Sequence, residues 1–138
     1  MNRIKIAAAL LLNSQRQVLL VRKKNTIFFM QAGGKLEPNE QPKQALLREL
    51  HEELNIQLEP SQLEFIGQFS APAANEENHT VEADIYLCFY DGEVRASQEI
   101  AQATWFGLEQ TQTVPLAALT QQFVLPIAKQ LLTIKDGF

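Results

Sequence analysis

The chain lacks several things, and each absence narrows what it can be. It has one cysteine, Cys88, in 138 residues, so an internal disulfide is excluded and a reducing cytoplasm is the expected setting. No apolar run approaches the roughly 18 residues that a membrane-crossing helix needs. The longest, residues 6–12, is strand length, and the short basic start before it lacks a small-residue cleavage site. Neither a membrane partner nor a signal peptide is expected. Basic residues are outnumbered, 12 Lys and Arg against 16 Asp and Glu, for a net charge of −4. That balance argues against a surface for nucleic acid polymers. An acidic chain that handles phosphates must do so locally, with metal ions or a few basic side chains. Internal repeats, low-complexity tracts and interdomain linkers are missing too, so residues 1–138 read as one domain, long enough to bury a core.

What is present is ordinary in bulk, 46% hydrophobic and 20% charged, and informative in order. Residues 3–12 and 18–21 are apolar runs joined by the turn-like Asn13-Ser14-Gln15-Arg16, which predicts a hairpin. Residues 27–31 are a further strand candidate, stopped by Gly33-Gly34. From Gln41 the period changes. Leu46, Leu47, Leu50 and Leu54 recur at helical spacing, Pro42 suits a first turn, and Asn55 can end the helix in the left-handed conformation. Strands are predicted over 63–69, 81–90 and 103–106, with Asp91-Gly92 a hairpin signal before Glu93-Val94. Ile127, Ala128, Leu131, Leu132 and Ile134 predict a C-terminal helix over 125–134, with Pro126 near its start. Strands on both sides of one central helix, closed by a second helix, make an α+β or sandwich arrangement rather than a βαβ alternation.

On a helical wheel at roughly 100° per residue, Glu49, Glu52 and Glu53 cluster beside the leucine stripe rather than opposite it. Like charges at such spacing repel by a few tenths of a kcal/mol per pair. A divalent cation removes that repulsion, and hard carboxylate oxygens suit magnesium or manganese. Taken alone, Arg48-Glu49-Leu50-His51-Glu52-Glu53-Leu54 is also what a solvated amphipathic helix displays. Two features argue for more. The carboxylates flank the core stripe, where a partly covered site can form. They also follow a Gly-Gly turn at fixed distance with Glu40 between, and such a turn lets backbone approach a ligand closely.

The pattern Gly34, five residues, Glu40, seven residues, then Arg48-Glu49-Leu50-His51-Glu52-Glu53-Leu54-Asn55-Ile56 resembles the Nudix box, G-x5-E-x7-R-E-U-x-E-E-x-G-U with U apolar. Every charged position matches. Asn55 replaces the usual glycine, and asparagine is the commonest other residue in that conformation. Ala32 stands where MutT-type members often have proline.

The resemblance implies an α/β/α sandwich with a mixed central sheet, a catalytic helix after the Gly-Gly loop and a C-terminal helix. It implies a pyrophosphohydrolase dependent on Mg2+, with Mn2+ a substitute, acting on a nucleoside-diphosphate-linked small molecule as a monomer or homodimer. A nucleoside triphosphate, oxidised or not, is the leading expectation. ADP-ribose, nucleotide sugars and dinucleoside polyphosphates are alternatives, as is a non-catalytic nucleotide-binding module of the same fold. Retention of every box glutamate favours an enzyme.

Residue by residue, the resemblance makes Glu49, Glu52 and Glu53 the metal ligands, joined by the Gly33 carbonyl. Arg48 orients Glu49, or is an ordinary intrahelical ion pair. Glu40 supports the cluster, or is a first-turn helix charge. Glu99 is a further ligand or the general base, with Glu53 the alternative base and a plain surface carboxylate the alternative for Glu99. Arg22, Lys23, Lys24, Lys35 and Gly34 are candidates for holding phosphate, Arg22 by resemblance to a substrate-contacting arginine; a solvated strand end explains the cations equally well. The polar run Asn75-Glu76-Glu77-Asn78-His79 is a lid or specificity loop, or simply solvated. In MutT-type members an asparagine before the last helix reads the purine; the corresponding region here, Gln121-Gln122-Phe123-Val124, gives no secure match. His51 is expected in solvent, Cys88 in the core, and Phe28 and Phe29 in packing contacts.

Overall fold

A computed structural model describes residues 2–133. Six strands form one mixed sheet: β1 (Asn2–Leu12), β2 (Val18–Lys23), β3 (Ala32–Lys35), β4 (Glu64–Pro72), β5 (His79–Phe89) and β6 (Ile100–Phe106). Two helices accompany them, α1 (Pro42–Leu54) and α2 (Leu125–Thr133). The order is β4-β5-β1-β2-β6, with β3 also paired to β1. β1 runs parallel to β5, in register from Asn2↔His79 to Leu12↔Phe89, and antiparallel to β2 and β3.

β1 shows why the fold has three layers. Its apolar run is buried on both faces, as a central strand requires. Ala7, Ala9 and Leu11 pack with Ala45, Leu46, Leu50 and Leu54 of α1. Ala8, Leu10 and Leu12 pack on the other side with Val124, Ala128 and Leu132 from the C-terminal helical segment. The period of two in a strand sends alternate residues to opposite faces, so one strand serves both cores of an α/β/α sandwich. Removing a side chain such as Leu50, fully buried between α1 and the sheet, costs about 2–5 kcal/mol.

Local signals set the ends of α1. Pro42 occupies its first turn and the Gln44 side chain accepts from the Gln41 amide at 3.0 Å. Asn55 ends it at φ 57°, and the Asn55 and Ile56 amides return to the His51 and Leu50 carbonyls at 3.0 and 3.2 Å, a Schellman-type close.

Three expectations need correction. Residues 27–31 form only isolated bridges, Val21↔Met30 and Phe29↔Leu116, and the strand lies instead at Ala32–Lys35, running through both glycines opposite residues 6–9 of β1. A Cβ on Gly33, at φ +148°, would overlap the Ala7 carbonyl and the Ala8 backbone, so tight backbone pairing rather than strand propensity selects glycine there. Asp91-Gly92 does not turn a hairpin. The Asp91 carboxylate accepts from the Ser14 amide and hydroxyl at 2.8 and 2.9 Å, and the chain beyond it runs to the end of α1. Before α2 the helix already begins with a π-helical turn at Thr120–Val124; Ile134, the last residue assigned to that helix from sequence, lies outside the described residues. Among the described residues no helix is long and apolar enough to cross a membrane.

Candidate active site

The helix stripe brings Glu53 to the core edge, where it is only 4% exposed. Arg48, one turn earlier, holds its neighbours. Its Nε and Nη2 donate to the two Glu40 carboxylate oxygens at 2.8 and 2.9 Å, a fork-on-fork pair. Nη1 donates to Glu49 at 2.8 Å and lies 3.4 Å from Glu52. Nη2 also reaches the Lys35 carbonyl at 3.1 Å, which ties the strand with the two glycines to the helix. With the Arg48 guanidinium against it and the Glu37 amide donating to it, the Glu40 carboxyl is held down to about 2.

Glu53 has no such partner. Burial pushes its carboxyl up to about 7; Lys23 opposes the rise, while Glu49, Glu99 and Glu52 add to it. Four carboxylates therefore share one electrostatic neighbourhood, drawn from α1 and from the residue before β6. Gly34 completes it from β3: a Cβ there would collide with the Glu49 carboxyl. Among the described residues no three acidic, imidazole or thiol side chains converge as a ready-made metal cage. Arg48 takes up Glu49 and Glu52, which leaves Glu53 apart from them.

Glu99 joins the cluster through the loop before β6. The Arg95 and Ser97 amides donate to the Leu54 and Glu53 carbonyls at 3.0 and 2.8 Å, and Lys24 N–H to the Glu99 carbonyl at 3.0 Å. The Asn55 side-chain Nδ2 donates to the Arg95 carbonyl at 2.7 Å, a bond that glycine at this position lacks. A cavity of about 340 Å³ is lined by Glu52, Glu53, Ser97, Gln98 and Glu99.

A second cleft, about 120 Å³, opens beside the glycines. Ile4, Ile6, Met30 and Val81 give it apolar walls; Lys23, Lys35, Gly33 and Gly34 lie toward the carboxylates; Asn75 and Glu76 form part of its rim. Lys35 pairs with Glu76 at 3.3 Å. Lys23 lines this cleft and Arg22 does not: the Arg22 guanidinium donates to Gln102 at 3.0 Å and to the Thr26 carbonyl at 2.7 Å. Gln31 also lines the cleft. Sequence reasoning missed it, because a single glutamine at the end of an apolar run carries no motif. A further cavity, about 1000 Å³ between residues 108–116 and α2, holds none of the motif's side chains. Cys88 is buried in the core, and burial pushes its thiol up to about 11, so it is no thiolate nucleophile. His51 is exposed, and Phe29 packs edge-on against Phe106 at 5.4 Å between ring centroids.

Comparison with known proteins agrees with this arrangement. The NUDIX domain family matches residues 1–126. No curated protein matches the chain by sequence. Among solved structures, the E. coli ORF135 protein is 25% identical, covers 99% of this chain and 95% of its own, and superposes with a TM-score of 0.73. A MutT/nudix family protein from Enterococcus faecalis is 23% identical with a TM-score of 0.66; the match covers 77% of this chain but spans only 44% of that protein. The NUDIX domain of Shewanella oneidensis NrtR, complexed with ADP ribose, is 18% identical, covers 95% of this chain and 90% of its own, and has a TM-score of 0.76. Members of the family generally use divalent metal ions. The box from Gly34 to Ile56 and the family match over 1–126 together establish that the chain belongs to the Nudix family and is a hydrolase of phosphoric anhydride bonds.

Proposed function

We propose that this chain is a magnesium-dependent pyrophosphohydrolase that cleaves the diphosphate linkage of a nucleoside triphosphate. It acts as a single domain over residues 1–138, in the cytoplasm, as a monomer or homodimer, on small nucleotides rather than polymers. The observation that carries the reading is Glu53: a buried carboxylate among three others, opposed only by Lys23, beside a cleft with two lysines and a Gly-Gly strand. Burying a carboxylate without a partner is costly, and a divalent cation removes that cost.

The donor chemistry of the residues present fits such an ion, although among the described residues the side chains do not converge on one point in this arrangement. The donors are hard oxygens, Gly34 leaves space that a side chain would take from Glu49, and like charges cluster there without a full complement of cations. Glu49, Glu52, Glu53 and the Gly33 carbonyl would hold it; Mn2+ suits the same set. When bound, the ion supplies charge neutralisation at the diphosphate and acidifies water. Arg48 orients Glu49, and Glu40 fixes Arg48 by its fork. Lys23 and Lys35, with the backbone at Gly34, hold phosphate oxygens; Arg22, engaged with Gln102 and Thr26, supports the strand end. Water adds to phosphorus, the bridging P–O bond breaks, and the water's proton passes to a carboxylate. Glu99 is that base in this reading, with Glu53 the alternative, since both line the 340 Å³ cavity.

A second substrate class has one specific observation behind it: the structurally similar NrtR domain is complexed with ADP ribose. ADP-ribose, nucleotide sugars and dinucleoside polyphosphates therefore belong in the same test. Wild type and Glu53→Gln are incubated with magnesium and each substrate class, and products are separated by chromatography. Turnover of nucleoside triphosphates to monophosphate and pyrophosphate, lost in the variant, is the expected result. A folded protein that turns over none of these substrates would falsify the hydrolase reading. A fully active Glu53→Gln would overturn the assigned role of Glu53.

A further inference from the structure

We infer that Gln31, locked by Thr120, selects the base of the nucleotide and prefers one that presents a carbonyl acceptor. The inference rests on the nucleotide reading of the cleft above and adds a specificity residue to it. Gln31 is 5% exposed and Thr120 fully buried, and their side chains meet across the fold, Thr120 Oγ1 to Gln31 Oε1, at 2.5 Å. That distance is in the range of O–H···O bonds and below that of N–H···O bonds, so the hydroxyl faces the oxygen of the carboxamide and not its nitrogen. The Gln31 oxygen is therefore engaged and the NH2 group is not. No fully buried side-chain nitrogen or oxygen among the described residues lacks a hydrogen-bond partner. The unpaired Gln31 nitrogen must then reach accessible space, and the cleft that Gln31 lines is that space.

The position suits a base. The apolar walls of Ile4, Ile6, Met30 and Val81 are on the same cleft as Lys23, Gly33 and Gly34, so phosphates toward the glycines leave the base among the apolar side chains. A buried polar pair in such a wall is costly unless its hydrogen bonds are satisfied, and a ligand acceptor satisfies the one that is open. Thr120 opens the π-helical turn at Thr120–Val124, a rare geometry that recurs at functional sites. A glutamine with both ends free reads adenine through its amino group and N7 together. With its oxygen held against the Thr120 hydroxyl, Gln31 turns its N–H donors to the cleft. These meet the oxygen of a 6-oxopurine or a 4-oxopyrimidine and oppose the amino group of adenine or cytosine.

The test compares inosine with adenosine diphosphate, which differ chiefly at position 6, and uridine with cytidine diphosphate. Binding is measured by equilibrium dialysis, and kcat/KM with the corresponding triphosphates. Wild type should favour the oxo base of each pair by about tenfold or more. Gln31→Met should bring the ratio close to one. Thr120→Val, which frees the carboxamide to turn, should do the same, while Thr120→Ser keeps the hydroxyl and the wild-type ratio. Tm and circular dichroism establish that each variant is folded; if Gln31→Met is not, the Thr120 pair decides. An oxo preference in binding without turnover would sustain the inference and sink the hydrolase reading. Turnover with no oxo preference, or with a preference that Thr120→Val and Gln31→Met leave unchanged, would overturn the inference and leave the hydrolase reading intact.

Discussion

Two ends of one acidic surface treat their carboxylates in opposite ways. Around Arg48, Glu40 and Glu49 accept charge-assisted bonds of 2.8–2.9 Å, and the Glu40 carboxyl is held down to about 2. One turn further along α1, Glu53 is buried, and its carboxyl rises to about 7. The residue type is the same, and Glu49 and Glu53 stand on one helix. What differs is the supply of cations: the first end carries its own guanidinium, and the second has Lys23 against three acidic neighbours. A protein that needed only a stable helix would neutralise both ends. In the proposed function the second is the place where an external cation completes the structure, at a cost in stability that functional sites commonly carry.

Breaking the contrast at Glu53 should have the largest effect. On the proposed function Glu53→Gln removes a metal-centred interaction worth several kcal/mol, so magnesium-supported turnover should fall by about a thousandfold or more; steady-state kinetics on the best substrate measures it. The same variant sharpens the comparison without metal. A carboxyl raised from 4.5 to about 7 on folding binds its proton more tightly in the native state. Stability from this group is thus present below pH 4.5 and lost as pH rises through 7. With chelator present, Glu53→Gln should escape that loss. Its stability relative to wild type should grow by roughly 2–3 kcal/mol between pH 4 and pH 8, read from urea midpoints at the two values; a constant difference would show that Glu53 titrates normally.

At the other end, Arg48→Lys keeps the charge and loses the fork on Glu40. Turnover should drop about ten- to a hundredfold with less change in KM, and a wild-type rate would mean that the orientation of Glu49 is set elsewhere. The smallest effect concerns acid. The Glu40 contribution is present above pH 4.5 and lost as pH falls toward 2. Glu40→Gln should therefore show a shallower decline in Tm over that interval than wild type does.

Much of this was readable before any fold was known. Pro42, Asn55 and the leucine spacing marked α1, because caps and periodicity are local properties of the chain. The acidic face followed from the same wheel, and the box from its resemblance to the Nudix pattern over Gly34–Ile56. The strand at Ala32–Lys35 was not readable, since two glycines have no strand preference and their pairing is imposed by residues 6–9 of β1. Asp91-Gly92 misled for a similar reason: Ser14, far away in sequence, claims the aspartate. The bond between Gln31 and Thr120 joins residues 89 apart, and nothing in either neighbourhood announces it. Local physics was legible, and long-range pairing was not.

The parallel pairing of β1 with β5 has a kinetic consequence. Asn2 meets His79 and Leu12 meets Phe89, so the central strand is the first in the chain while its full-length partner comes late. Closing so long a loop costs entropy before the pairing repays it. The early hairpin of β1 and β2, the pairing of β3 with β1 and the helix α1 can all form from the first half of the chain, but β5, and Glu99 before β6, wait for the second half. Refolding should accordingly be slow for a protein of this size, with the catalytic surface assembled among the last events rather than the first.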